Sequence, residues 1–112
     1  MPSISRDYLE TTKDGIFSQA LPATYCPNPI GCSTFSGGII HVLQGEAAAT
    51  LTFYSQCGGV WYLLKDSSGA NVTLSVTGGA AYAIPDACFG ALIVGVQSSN
   101  LAGTKNRVTL KG

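Results

Sequence analysis

The residues of this chain best equipped for chemistry are Cys26, Cys32, Cys57, Cys88 and the single histidine, His41. A zinc site draws on cysteine pairs two to four residues apart, because a short loop must bring two thiolates onto one ion. Cys26 and Cys32 bracket a longer "PNPIG" loop, while Cys57 and Cys88 lie in separate turns with no near partner in the sequence. No metal site is expected from this spacing, and buried thiols are the simpler reading. A Cys26–Cys32 loop disulfide is geometrically possible, but a cytoplasmic origin disfavours its oxidation until the protein is released. His41 sits in the apolar run "IIHVL" with no carboxylate or nucleophile beside it in sequence. A packed core or interface histidine is expected there rather than a general base.

Other reaction types find no better footing. There is no G-x-S-x-G elbow, and a serine triad would have to recruit His41. The acidic residues are scattered through turns and the N-terminal stretch, so a carboxylate pair for glycoside chemistry does not assemble in sequence. Asp66 with Asn71, or Asp86 alone, could touch calcium, but the D-x-[DN]-x-[DN]-G spacing is missing and turn capping explains them. Asn71-Val72-Thr73 spells a glycosylation acceptor, of no consequence without a secretory route. Trp61, Tyr54 and Tyr62 suggest a sugar-stacking platform. Adjacent strand residues point to opposite faces, so Trp61 and Tyr62 cannot line the same one. The chain is expected to have no catalytic residues and no cofactor.

Composition narrows the class further. A chain of 112 residues is one domain by length. Charged residues are 11% of it, six basic against six acidic, where about 25% is usual. That balance argues against nucleic acid, which rewards a dense Lys/Arg footprint. The opening "MPSISRDYLETTKDG" lacks the apolar core of a signal peptide. No apolar run approaches the ~18 residues of a membrane helix. Synthesis and assembly in a cytoplasm, with no membrane partner, are expected. A surface so poor in charge has little colloidal repulsion and suits a protein that lives assembled.

Turn residues recur every 8–12 positions or so, as in sandwiches and barrels. Residues 1–14 read as an arm and 15–112 as a single domain. A short strand is expected near Ile16–Leu21. The segment "PATYCPNPIGCSTFSGG" carries three prolines and reads as an ordered loop or edge excursion. Strands are expected at 38–43, 48–55, 60–65, 71–77, 81–84, 91–97 and 107–111, with a one-turn helix or bend at "PDACFG". "WYLLKDSSGANVTLSV" reads as a hairpin turned by Asp66-Ser67-Ser68-Gly69, with Gly69 free to take positive φ. Alternation places Leu51, Phe53, Tyr62, Leu74, Val76, Val94 and Leu110 in the core. The expected fold is an all-β antiparallel β-sandwich, jelly-roll-like, with about seven or eight strands.

The run "TLTFYSQCGGVWYLLKDSSGANVTLSVTGGAAYAIPDACFGALIVGV" resembles small capsid decoration (cement) and other virion structural proteins of tailed bacteriophages. The matching features are Phe53-Tyr54, Trp61 with Leu63–Gly69, Val72-Thr73-Leu74, Tyr82-Ala83-Ile84-Pro85, Leu92–Val96 and the closing "VTLKG". The four cysteines and the proline-rich loop depart from the pattern. The resemblance covers roughly residues 36–112. It implies a non-enzymatic head-stabilising protein in the virion, a homotrimer bound to the major capsid protein or another virion protein. The contact residues expected on this reading are Ile4, Tyr8 and Leu9 in the arm and Cys26, Pro27, Pro29 and Cys32 in the loop. The alternative is a carbohydrate- or receptor-binding module on a tail fibre.

Overall fold

A computed structural model of the chain describes residues 11–17, 30–31, 35, 37–91, 93–100 and 103–111. Two antiparallel sheets pack face to face. In chain order the strands are β1 (Thr11–Phe17), β2 (Ile30–Gly31), β3 (Gly37–Val42), β4 (Ala49–Cys57), β5 (Val60–Leu63), β6 (Thr73–Val76), β7 (Ala80–Ala83), β8 (Ile93–Ser98) and β9 (Thr104–Lys111). One sheet has the order β1-β9-β3-β7. The other runs β2-β8-β4-β5, with β6 also on β4. A 3-10 turn over Asp86–Gly90 occupies the expected bend and buries Cys88.

The core follows from period-two alternation. Leu51 and Phe53 of β4, Val94 and Val96 of β8, and Val76 of β6 come from one sheet. Ile40 and Val42 of β3, Val108 and Leu110 of β9, and Phe17 of β1 meet them from the other. Each fully buried large side chain is worth roughly 1.5–3 kcal/mol over its exposed state.

Two expected core positions differ. Leu74 is only half-buried. Tyr62 is 56% exposed, although it pairs with Ser55, two residues on from buried Phe53 and on the same face. Along that inward face of β4, Ala49, Leu51 and Phe53 are buried, Ser55 is half-buried and Cys57 is exposed. Cover from the facing sheet fades toward the β4–β5 turn, and Tyr62 lies where it has gone.

Three further expectations changed, two of them strand boundaries. β1 begins at Thr11, inside the stretch read as an arm, because Thr11–Asp14 pair with Leu110–Arg107 of β9. β9 begins at Thr104 rather than Arg107. Its inward Thr104 and Asn106 are polar but buried, so the strand lacks an apolar signal there. Thr104 Oγ1 lies 2.7 Å from Ser98 Oγ, and Asn106 Nδ2 donates to the Thr104 carbonyl at 2.9 Å, so these polar groups are buried with partners.

The third concerns the expected hairpin. β5 and β6 do not run beside each other; both run along β4 on the same edge. The registers of β5 and β6 on β4 differ by eight positions, the length of extra chain extruded between them. A hairpin survives only as a pinch, through the Lys65–Asn71 bridge. "WYLLKDSSGANVTLSV" is therefore one edge strand of the sheet, interrupted by a protruding loop.

Candidate interaction surface

Among the described residues the chemistry-bearing side chains do not converge. Among the described residues no group of three or more His, Cys, Asp or Glu could hold a metal ion. His41 is exposed on β3, with Nδ1 3.3 Å from the Arg107 carbonyl of the neighbouring strand; of the two expected settings, core and interface, the core is excluded. Cys57 is exposed, not buried, at the β4–β5 turn, whereas Cys88 is fully buried.

Asp66 and Asn71 act as turn caps. Asp66 Oδ1 accepts from the Ser68 hydroxyl at 2.6 Å, the Ser68 amide at 2.9 Å and the Ala70 amide at 3.0 Å. These donors, the Ser68 hydroxyl foremost, then the Ala70 and Ser68 amides, hold its carboxyl below the ordinary aspartate value. Lys65 Nζ donates to Asn71 Oδ1 at 3.0 Å across the neck of the loop. Gly69 takes φ 85, the positive value expected of it.

What the fold does assemble is an apolar surface around the β4–β5 hairpin. Gly58 and Gly59 turn it with φ 58 and 79, the type I′ geometry whose twist matches paired strands. Val60 is 51% exposed, Tyr62 56% and Leu63 38%. β5 ends its sheet on this side, so its outer backbone edge has no strand beside it among the described residues. From Ala47 to Leu64 the chain carries no charged residue. This surface had a signal in the sequence: "VWYLL" is apolar at both parities, which a half-buried strand does not need.

The aromatics divide as parity requires. Gln56 pairs with Trp61, and Tyr54 with Leu63, so Trp61 and Tyr54 share the outer face of the sheet while Tyr62 takes the other. Neither outer aromatic stands free. The Tyr54 hydroxyl donates to Gln97 Oε1 at 3.1 Å. Trp61 is half-buried, with an indole Nε1 sealed from solvent and without a hydrogen-bond partner. Among the described residues the flat exposed row of a sugar platform is not formed.

Of the residues expected to contact a partner, Ile4, Tyr8, Leu9, Cys26, Pro27, Pro29 and Cys32 all lie outside the described residues. No helix among the described residues is long and apolar enough to cross a membrane. No family model matches the chain, and no curated protein and no solved structure matches it.

Proposed function

We propose that this chain is a non-enzymatic structural protein of a virion, a capsid decoration protein that seats on the major capsid protein or another virion protein. The observation that carries the reading is the uncharged β4–β5 hairpin, exposed on both faces and along one backbone edge. Clustered apolar exposure of this kind marks an association surface. With charged residues at 11%, little elsewhere on the chain opposes assembly.

The strand order lends support. With β5 and β6 taken as one broken strand, each sheet has four positions, β1-β9-β3-β7 over β2-β8-β4-β5/β6. That arrangement suits a double-sheet jelly roll, an architecture of viral capsid and lectin domains. A fold does not choose between those two functions. The lectin-like alternative, a carbohydrate-binding module, draws on the shared face of Trp61 and Tyr54. The occupied Tyr54 hydroxyl and the sealed Trp61 indole N–H weigh against it.

The resemblance adds a trimer and an arm contact through Ile4, Tyr8 and Leu9 to this proposal. β1 reshapes the test of the arm. A truncation starting at Gly15 would remove four of the seven β1 positions, whereas one starting at Thr11 keeps the strand. The experiment is cosedimentation of the purified full chain, and of the Thr11 truncation, with capsids lacking this protein, beside mass analysis of intact virions. Saturable binding and a high copy number are expected, with weaker binding by the truncation. Absence from virions, with specific retention on a glycan array, would overturn the reading in favour of the carbohydrate module.

A further inference from the structure

We infer that β5 is the seam of a two-fold pair, in which β5 of one copy lies antiparallel beside β5 of a second and joins their sheets. The inference needs only a second copy of this chain, and so stands apart from the virion reading.

The backbone supplies the first reason. A two-residue Gly58–Gly59 turn makes Cys57 and Val60 the pair that closes the hairpin. Hydrogen-bonded and non-bonded pairs then alternate, so the N–H and C=O of Val60 and Tyr62 point toward β4 and those of Trp61 and Leu63 point away. The Leu64 amide, next in the inward series, does reach the Phe53 carbonyl at 2.9 Å. Among the described residues, Trp61 and Leu63 thus present an unpaired ladder where the sheet ends. Proteins that stay monomeric protect such edges with Lys, Pro or a bulge. β5 has no such residue in "VWYL", whereas the edge strand β1 includes Lys13 and Asp14.

The second reason is register. A two-fold axis normal to the sheet keeps the outer face outer in both copies, so opposed residues must share parity. Opposing Trp61 to the second copy's Leu63, and Leu63 to its Trp61, satisfies that rule and uses every outward group, about four hydrogen bonds. Tyr62 then meets Tyr62 on the axis, on the face where each is 56% exposed, and Val60 meets Leu64. The seam is also the right length. Its ends are the protruding Lys65–Asn71 loop of one copy and the Gly58–Gly59 turn of the other. A Cβ built on either glycine would meet nothing within 4 Å, which leaves space for the loop. The third reason is charge: with no ionised side chain from Ala47 to Leu64, two identical edges meet without repulsion, and a charged partner finds no counter-charge.

Light scattering coupled to size exclusion, on the full chain across a concentration series, tests the pair. The expected mass is that of a dimer falling to monomer on dilution, in place of the trimer that the resemblance implies, with Leu63→Lys weakening the association at least tenfold. Leu63 is exposed, so that variant is expected to fold, and an unchanged melting temperature will verify it. Tyr62→Cys in a Cys57→Ser background supplies the register. Directly opposed residues in a non-bonded antiparallel pair sit about 4.5 Å apart at Cα, within disulfide reach. Mild oxidation is expected to yield a covalent dimer from Tyr62→Cys and none from Leu63→Cys in the same background. A monomer at millimolar concentration would overturn the inference. So would an oligomer, dimer or trimer, that Leu63→Lys leaves intact, or equal cross-linking of the two cysteine variants. Loss of capsid binding with the pair intact would sink the virion reading alone.

Discussion

Leu64 and Val72 are eight positions apart in the chain yet oppose the same residue of β4. The Leu64 amide donates to the Phe53 carbonyl at 2.9 Å, and the Phe53 amide donates to the Val72 carbonyl at 3.3 Å. The Val72 amide closes the ring on the Leu64 carbonyl at 3.0 Å. An edge strand is thereby cut and rejoined without losing its alignment to β4, and the loop between the cuts projects from the sheet.

One carboxylate caps the turn of that loop, so the turn should answer to pH. The Asp66 carboxyl is held below its ordinary value by the Ser68 hydroxyl first, then by the Ala70 and Ser68 amides. A lowered folded-state value means that the charged form supports the loop above the unfolded aspartate range, and that this support is lost as pH falls through the folded value. Carboxyl NMR titration should place Asp66 below an aspartate without such hydrogen bonds, and Ser68→Ala should move it up. An Asp66 titration unmoved by Ser68→Ala would show that the hydroxyl bond is not made in solution.

Core substitutions should rank by burial rather than by residue type. Leu51, fully buried, should lose about 2–5 kcal/mol on change to alanine. Leu74 has the same side chain on the same inward face but is half-buried, so Leu74→Ala should cost clearly less. Denaturant melts of the two variants measure the difference. Equal losses would mean that β6 is packed more deeply than this arrangement has it.

Two glycines should refuse a methyl group. A Cβ on Gly78 would lie 2.5 Å from the Glu46 carbonyl oxygen and 2.6 Å from its amide nitrogen. On Gly38 it would lie 2.6 Å from the Thr109 carbonyl oxygen. Backbone on both sides cannot swing aside as a flexible side chain would, so each alanine variant should lose about 1–3 kcal/mol. Thermal melts that match the parent protein would disprove the close approaches.

The cysteines should differ in rate. Cys57 is exposed and Cys88 is fully buried. Brief alkylation of the folded protein followed by intact mass should lose one adduct in Cys57→Ser. The same treatment of Cys88→Ser should show no change, since Cys88 would react only on unfolding. Zinc bound in stoichiometric amount to the purified protein would contradict a purely structural role for the four cysteines.

The class was legible from alternation: short alternating runs that can bury only one face each make two packed antiparallel sheets. Leu51, Phe53, Val94 and Leu110 lie in the core as alternation requires, and the Asp66–Gly69 turn forms where its capping residues stand. Alternation reports parity, which is local. It does not report which strand lies alongside, or whether a facing sheet extends far enough to cover a residue. Tyr62 has the parity of Phe53 and is still exposed, because cover fades before it. β5 and β6 read as partners because a good turn joins them. Only the tertiary structure, where β4 offers one continuous edge, makes them successive parts of one strand. Thr104 and Asn106 of β9 read as loop because they are polar, and become strand because β1, β3 and Ser98 surround them. The association edge was likewise a decision of the fold. Apolar residues at both parities were visible in "VWYLL", but that β5 ends a sheet, and that Val60, Tyr62 and Leu63 meet solvent there, only the folded arrangement shows.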